Sequence, residues 1–241
     1  MDLPELRHVQ CLDGRGLRRF AYWQWGESRG VDVVVCAHGL ARQGRDFDVL
    51  ARALADRYCV VCPDFAGRGE SDRASDPAAY ALPTYVVDSL TLLARLDARR
   101  VLWVGTSMGG LIGLGLAALR ASPIERLVLN DIGPTIDAHG VARIAGYLGK
   151  TTRFESEEAA ADALLAISQG FGPHSREQWL ALTRPMLRPD GEGFVLHYDP
   201  AIAVNLRAIT PEQAATGEAA LWAAYDAVRC PVLLLRGESS D

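Results

Sequence analysis

Val101-Leu102-Trp103-Val104-Gly105-Thr106-Ser107-Met108-Gly109 decides how the rest of the chain is read. Val101 to Val104 is a short apolar run of the kind that forms a buried strand, and Leu111 to Leu119 is a helix-forming stretch crowded with small residues. Between them, Gly105-Thr106-Ser107-Met108-Gly109 sets a serine at a sharp strand-to-helix corner, the context a G-x-S-x-G nucleophile turn requires. A turn this tight leaves no room for Cβ atoms beside the serine, which is the physical reason for glycine at 105 and 109. The corner lifts the hydroxyl clear of the sheet. It also aims the unpaired N–H groups of the following helix at whatever the hydroxyl attacks.

Towards the N-terminus, strand-like runs at Val9 to Leu12 and Leu17 to Trp25 flank the turn signal Asp13-Gly14-Arg15-Gly16 and predict an opening antiparallel hairpin. Val31 to Ala37 is nearly continuously apolar, as strands covered on both faces are, and ends at His38-Gly39-Leu40. Asp46 is placed to cap a helix with Phe47, Leu50 and Leu54 on one face. Tyr58 to Cys62 is the next strand, running into the polar loop Pro63 to Asp72, and Thr84 to Leu96 has helical spacing. After the serine, Leu127 to Asn130 is a strand ending in Asp131, and Pro231 to Leu235 is the last. Strands alternating with helices at this pace predict an α/β fold with a mainly parallel sheet, whose ligand site lies beyond the carboxyl ends of the strands. His38, Asp64, Ser107, Asp131 and the end of the last strand fall on that edge and are expected to converge.

From Pro134 the rhythm changes. Val141 to Gly149, Ser156 to Gln169 and Ser175 to Leu187 read as helices with no strand between them, the third opening with the capping box Ser175-Arg176-Glu177-Gln178. Phe194 to Tyr198 is a short alternating run, and Ala219 to Val228 is another helix. The block reads as an inserted all-helical lid, which divides the chain into a core of residues 1–133 and 218–241 and a cap of residues 134–217.

The 241 residues suffice for one large α/β domain with an insertion, and 49% hydrophobic with 23% charged residues is ordinary for a globular protein. A formal charge of -5, with no cluster of basic residues, argues against a nucleic-acid partner. No stretch has the length of a membrane span and the start is not a signal peptide, so the cytoplasm is the expected compartment. Cys59-Val60-Val61-Cys62 has metal-like spacing only by lying in a strand, where its two thiols face opposite ways; all five cysteines read as small buried hydrophobes. No metal-ligand cluster and no phosphate-binding loop is visible, so no cofactor is expected.

His38-Gly39 after a strand, the loop Gly67-Arg68-Gly69-Glu70-Ser71-Asp72, the turn from Gly105 to Gly109 and the strand-Gly-x-x-x-Asp ending at Asp241 together resemble the α/β-hydrolase family. The resemblance is to its small bacterial esterases, enol-lactonases and carbon–carbon bond hydrolases with helical caps. It implies Ser107 as nucleophile, the N–H groups of Leu40 and Met108 as an oxyanion hole, and Asp241 as the acid, with Asp131 as the alternative acid. The family's triad ends in a histidine, and no residue follows Asp241, so the resemblance implies a C-terminally truncated member with its last strand and helix missing and an exposed sheet edge. His38, Gly39, Arg42 and Arg45 are candidates to touch substrate. The two arginines are placed either to clamp a substrate carboxylate or simply to lead, solvated, into the helix after them. Tyr147, Phe171 and Trp179, with Phe154 and Met186, are candidates for an acyl pocket or for cap core, and Arg143 or Arg153 for an acid group there. The implied activity is hydrolysis of a small, fairly apolar ester or lactone through an acyl-enzyme on Ser107. The alternatives are a carbon–carbon hydrolase, disfavoured by Leu40-Ala41-Arg42-Gln43-Gly44 in place of a glycine-rich loop, and a binding protein without turnover.

Overall fold

A computed structural model describes residues 3–238 and 240, with Gln169 described by its backbone alone. The chain opens with β1 (Glu5–Asp13) and β2 (Gly16–Trp25), an antiparallel hairpin in which Asp13 faces Gly16. Then come β3 (Asp32–Ala37), α1 (Asp48–Leu54), β4 (Cys59–Pro63), α2 (Leu82–Leu96), β5 (Arg100–Thr106), α3 (Met108–Ala117) and β6 (Ile124–Asn130). Asp46 does not cap α1: a short 3₁₀ turn, Gly44–Phe47, precedes that helix and Asp46 lies within it, its carboxylate taken by Arg42.

After β6 the chain leaves the sheet. It forms α4 (Ala138–Tyr147), β7 (Arg153–Phe154), α5 (Glu157–Ile167), α6 (Arg176–Thr183), β8 (Leu187–Asp190), β9 (Gly193–Leu196), α7 (Ala203–Ala208) and α8 (Pro211–Ala227), and returns through β10 (Val232–Leu235). The expected all-helical block is corrected here: β7, β9 and β8 make a small antiparallel sheet of three strands. The last helix also begins eight residues earlier than its apolar spacing suggested. Thr210 and Gln213 form a reciprocal capping box there, with Pro211 at the first helical position.

The main sheet has seven strands in the order β1-β2-β4-β3-β5-β6-β10, antiparallel as far as β4 and parallel beyond it. One face packs Val33, Val35, Val101, Trp103 and Leu127 against Leu92, Leu96, Ile112 and Leu116 of α2 and α3. The other packs Val34, Val60 and Cys62 against Ala51, Phe47 and Leu54. Cys59 belongs to the first cluster and Cys62 to the second, as their alternation along β4 requires. All five thiols are free. At the far edge β10 keeps its side chains largely in solvent, Leu234 being 53% exposed. No helix among the described residues is long and apolar enough to cross a membrane.

Candidate active site

Strand register brings the predicted residues to one edge. Ala37 pairs with Gly105, Thr106 with Asn130, and Asn130 with Leu235, so Ser107, Asp131 and Arg236 follow at the same level and His38 one residue before it. Ser107 has φ 50 and ψ -118, a conformation that costs energy in an L-residue and persists only when its surroundings enforce it. They do so at close range. A Cβ on Gly105 would lie 2.3 Å from the Gly109 carbonyl oxygen, and one on Gly109 would lie 2.1 Å from that of Ala37. The Trp103 indole N–H donates to the Gly109 carbonyl at 2.9 Å, and Gly113 is bare where a Cβ would strike that indole at 2.3 Å. The Ser107 N–H donates to the Asn130 carbonyl at 3.1 Å, fixing the corner to β6.

The turn after β3 lies against this corner: a Cβ on Gly39 would sit 3.7 Å from that of Ser107. His38 is fully buried and locks the turn. Its Nε2 accepts the Phe65 N–H at 3.0 Å, which places its proton on Nδ1, donated to the Gly39 carbonyl at 2.7 Å. Burial pulls this imidazole down to about 3, so it stays neutral and serves as a structural bond. The Gly39 carbonyl also takes the Arg42 N–H at 3.1 Å. Among the described residues, the N–H groups of Leu40 and Met108 have no acceptor. Met108 opens α3, where no intrahelical partner exists.

Asp64 organises the neighbouring loop, accepting from the N–H groups of Gly44 at 2.7 Å and Glu70 at 3.0 Å and from the Trp23 indole at 3.3 Å. Burial outweighs these bonds and lifts its carboxyl to about 6. Asp72 holds the Arg19 N–H at 2.8 Å. Asp131, exposed with φ 55, accepts from the Gly237 N–H at 3.1 Å and the Ser240 hydroxyl at 2.8 Å. Asp241 lies outside the described residues.

Arg42 and Arg45 are neither open clamps nor solvated. Arg42 is bound by both Asp46 oxygens, at 2.6 and 2.8 Å, and reaches the Leu182 carbonyl and the Met186 sulfur, tying the turn after β3 to α6 and the residues that follow it. Arg45 is bound bidentately by Asp48 and lies 4.6 Å from the centre of the Trp23 ring. Already neutralised, neither is free for a substrate carboxylate. Trp179 is buried on α6 with His174 and Phe171 against it, the latter 59% exposed, while Phe154 is buried on β7; Tyr147 is half-buried on α4. Arg153 pairs loosely with Asp190 at 3.9 Å.

One residue of the site went unread in the sequence. Arg68, 1% exposed, donates to the carbonyls of Leu40 at 2.9 Å and Ala66 at 2.7 Å and to the Tyr85 hydroxyl at 2.7 Å, and its guanidinium lies 3.8 Å from the Met108 sulfur. A lone arginine between two glycines reads as a solvated loop residue. Its aromatic partners, Tyr80 and Tyr85, lie well along the chain, the second on α2.

Residues 32–168 match the family model described as the alpha/beta hydrolase fold. The chain is an α/β-hydrolase. The hydrolase is 50% identical, over 99% of its length and 83% of the relative's, to a 3-hydroxybutyrate-oligomer hydrolase from Cupriavidus necator. Among solved structures it superposes on an alpha/beta hydrolase from Novosphingobium aromaticivorans with TM-score 0.84 and 34% identity, covering 99% of this chain and 82% of that one. A Mycobacterium tuberculosis esterase, at 22% identity, TM-score 0.69 and coverage of 98% and 75%, shares the fold. Among the described residues of this chain no group of three or more His, Cys, Asp or Glu side chains is placed to hold a metal ion.

Proposed function

We propose that the protein hydrolyses small, fairly apolar carboxylic esters through an acyl-enzyme on Ser107, and that short oligoesters of 3-hydroxybutyrate are the first substrates to test. The observation that carries the reading is the strained Ser107 corner, beside the Gly39 turn and at the start of α3, with the N–H groups of Leu40 and Met108 left without an acceptor among the described residues. The substrate class comes from the 50% identical relative, whose name specifies 3-hydroxybutyrate oligomers.

In this reading the Ser107 hydroxyl attacks the ester carbonyl and gives up its proton to a base as the C–O bond forms. The carbonyl oxygen becomes an oxyanion held by the Leu40 and Met108 N–H groups and by the positive end of α3. Collapse expels the alcohol, which takes up the proton, and water then cleaves the acyl-serine by the same route in reverse. Each oxyanion donor is worth about 2.7–4 kcal/mol of transition-state stabilisation. Asp241 is the proposed acid and Asp131 its alternative, the latter already engaged with Gly237 and Ser240. None of the five histidines is hydrogen-bonded to Ser107 among the described residues; His38 is committed at both nitrogens and His139 is fully exposed. Residues 134–217 act as the lid in this proposal. Five free cysteines fit a reducing cytoplasm.

The test is hydrolysis of p-nitrophenyl esters of increasing acyl length and of a 3-hydroxybutyrate dimer. Turnover of short acyl chains that falls by about 10⁴-fold or more in Ser107→Ala is expected. Turnover that survives the substitution removes Ser107 from the mechanism.

A further inference from the structure

Two arginines are buried among the described residues, and they are held in opposite ways. Arg18 has carboxylates on both sides, Asp88 and, at 3.6 Å, Asp13. Arg68 has none within ion-pairing distance: its donors end on two carbonyls and a tyrosine hydroxyl, and its flat face lies 5.3 and 5.6 Å from the ring centres of Tyr85 and Tyr80. A guanidinium is always protonated, and burying one without a counter-ion carries a large desolvation cost that neutral acceptors and aromatic faces offset in part. What this cation gains in return lies at its far end. One guanidinium touches both residues that supply the unpaired N–H groups, donating to the Leu40 carbonyl and lying against the Met108 sulfur.

We propose that Arg68 is the positioning residue of the oxyanion hole: it fixes Leu40 and Met108 around the site beside Ser107, and its unmatched positive charge finds its counter-charge in the oxyanion formed during catalysis. The inference rests on the serine-hydrolase reading above. Among the described residues no carboxylate lies within ion-pairing distance of this cation, Asp199 being reached only through the Tyr80 hydroxyl, and in this proposal the reaction creates an anion next to the two residues it touches. In a water-poor interior such a charge favours the transition state over the neutral ester, so it acts on kcat rather than on substrate affinity. The carbonyl bonds need the planar fork, whereas the charge alone needs any cation, so lysine and methionine separate the two contributions.

Arg68→Met and Arg68→Lys are compared with the wild type for kcat and KM on p-nitrophenyl acetate, for Tm, and for amide hydrogen exchange at Arg42 and Phe65, whose bonds to the Gly39 carbonyl and His38 hold the turn. In Arg68→Met, kcat is expected to fall by about 30- to 100-fold with KM within about threefold, and Arg68→Lys to recover part of the loss. The Arg42 and Phe65 amides are expected to exchange faster in Arg68→Met while those around Arg18 keep their protection. An unchanged kcat, a loss confined to KM, or a loss that tracks Tm alike in both variants overturns the proposal. Should the wild type neither turn over ester nor label at Ser107, the hydrolase reading fails on its own, and unchanged exchange at Arg42 and Phe65 then overturns the positioning role separately.

Discussion

The carboxyl edge of the sheet is built in two ways. At the ends of β3, β4 and β5 the turns are buried and cross-tied: His38 bridges the first two, Arg68 ties the Leu40 turn to the loop after β4, and Trp103 clamps the serine corner from below. At the ends of β6 and β10 the turns are exposed, and Asp131 links them through Gly237 and Ser240. The buried side carries the proposed nucleophile and the proposed oxyanion hole. The exposed side carries the candidate acids. The difference lies in the ties themselves: buried groups join the turns after β3, β4 and β5, whereas among the described residues hydrogen bonds between exposed groups join those after β6 and β10.

The comparison breaks most visibly if the buried side tolerates insertion of a methyl group. Gly109→Ala drives a Cβ to 2.1 Å from the Ala37 carbonyl, between two backbones that cannot separate without opening the β3–β5 edge. A loss of about 3 kcal/mol in chemical denaturation is expected, and a loss under about 1 kcal/mol would show that the corner is not confined as described.

Next comes His38→Leu, which leaves the Phe65 N–H and Gly39 carbonyl without this partner and is expected to cost about 2–3 kcal/mol at neutral pH. Its pH dependence sharpens the point. The folded imidazole is held down to about 3, so as pH falls below the ordinary value of 6.5 the unfolded chain binds the proton first. The stability tied to the neutral ring is therefore complete above pH 6.5 and is lost towards pH 3, at about 1.4 kcal/mol per pH unit. Asp64 works in the opposite sense: its carboxyl, raised to about 6, binds a proton in the folded state first, and stability rises as pH falls from about 6 to 3.8. The wild-type profile mixes the two. His38→Leu should regain ground on the wild type steadily between pH 6.5 and 4 in parallel melts, and constant separation of the two curves would contradict the assignment.

The smallest effect is expected on the exposed side. Asp131→Ala removes two solvent-facing hydrogen bonds and should cost under about 1 kcal/mol, with ester turnover retained if Asp241 is the acid. A collapse of turnover without a fall in Tm would make Asp131 the acid instead.

The same division marks what the sequence discloses. The serine corner, the parallel strands and the Asp64 loop announce themselves locally, because tight turns demand glycine and fully covered strands demand continuous apolar runs. The small three-stranded sheet shows only in part: the alternating run from Phe194 marks β9, but Pro189 sits inside β8 and β7 is two residues long, so neither partner strand can be read. The early start of α8 had a signal in Thr210-Pro211-Glu212-Gln213, masked because the following Ala-rich turns have no apolar stripe. The roles of Arg42, Arg45 and Arg68 were not legible for another reason. An arginine's role depends on partners the fold supplies, and here they are the local carboxylates Asp46 and Asp48 for the first two and distant backbone and aromatic groups for the third.

The account turns on Ser107, and intact-protein mass spectrometry before and after a fluorophosphonate probe, with Ser107→Ala alongside, tests it most directly. One adduct on the wild type and none on Ser107→Ala is the predicted result. A folded wild type that acquires no adduct, or an adduct that persists in Ser107→Ala, would contradict it.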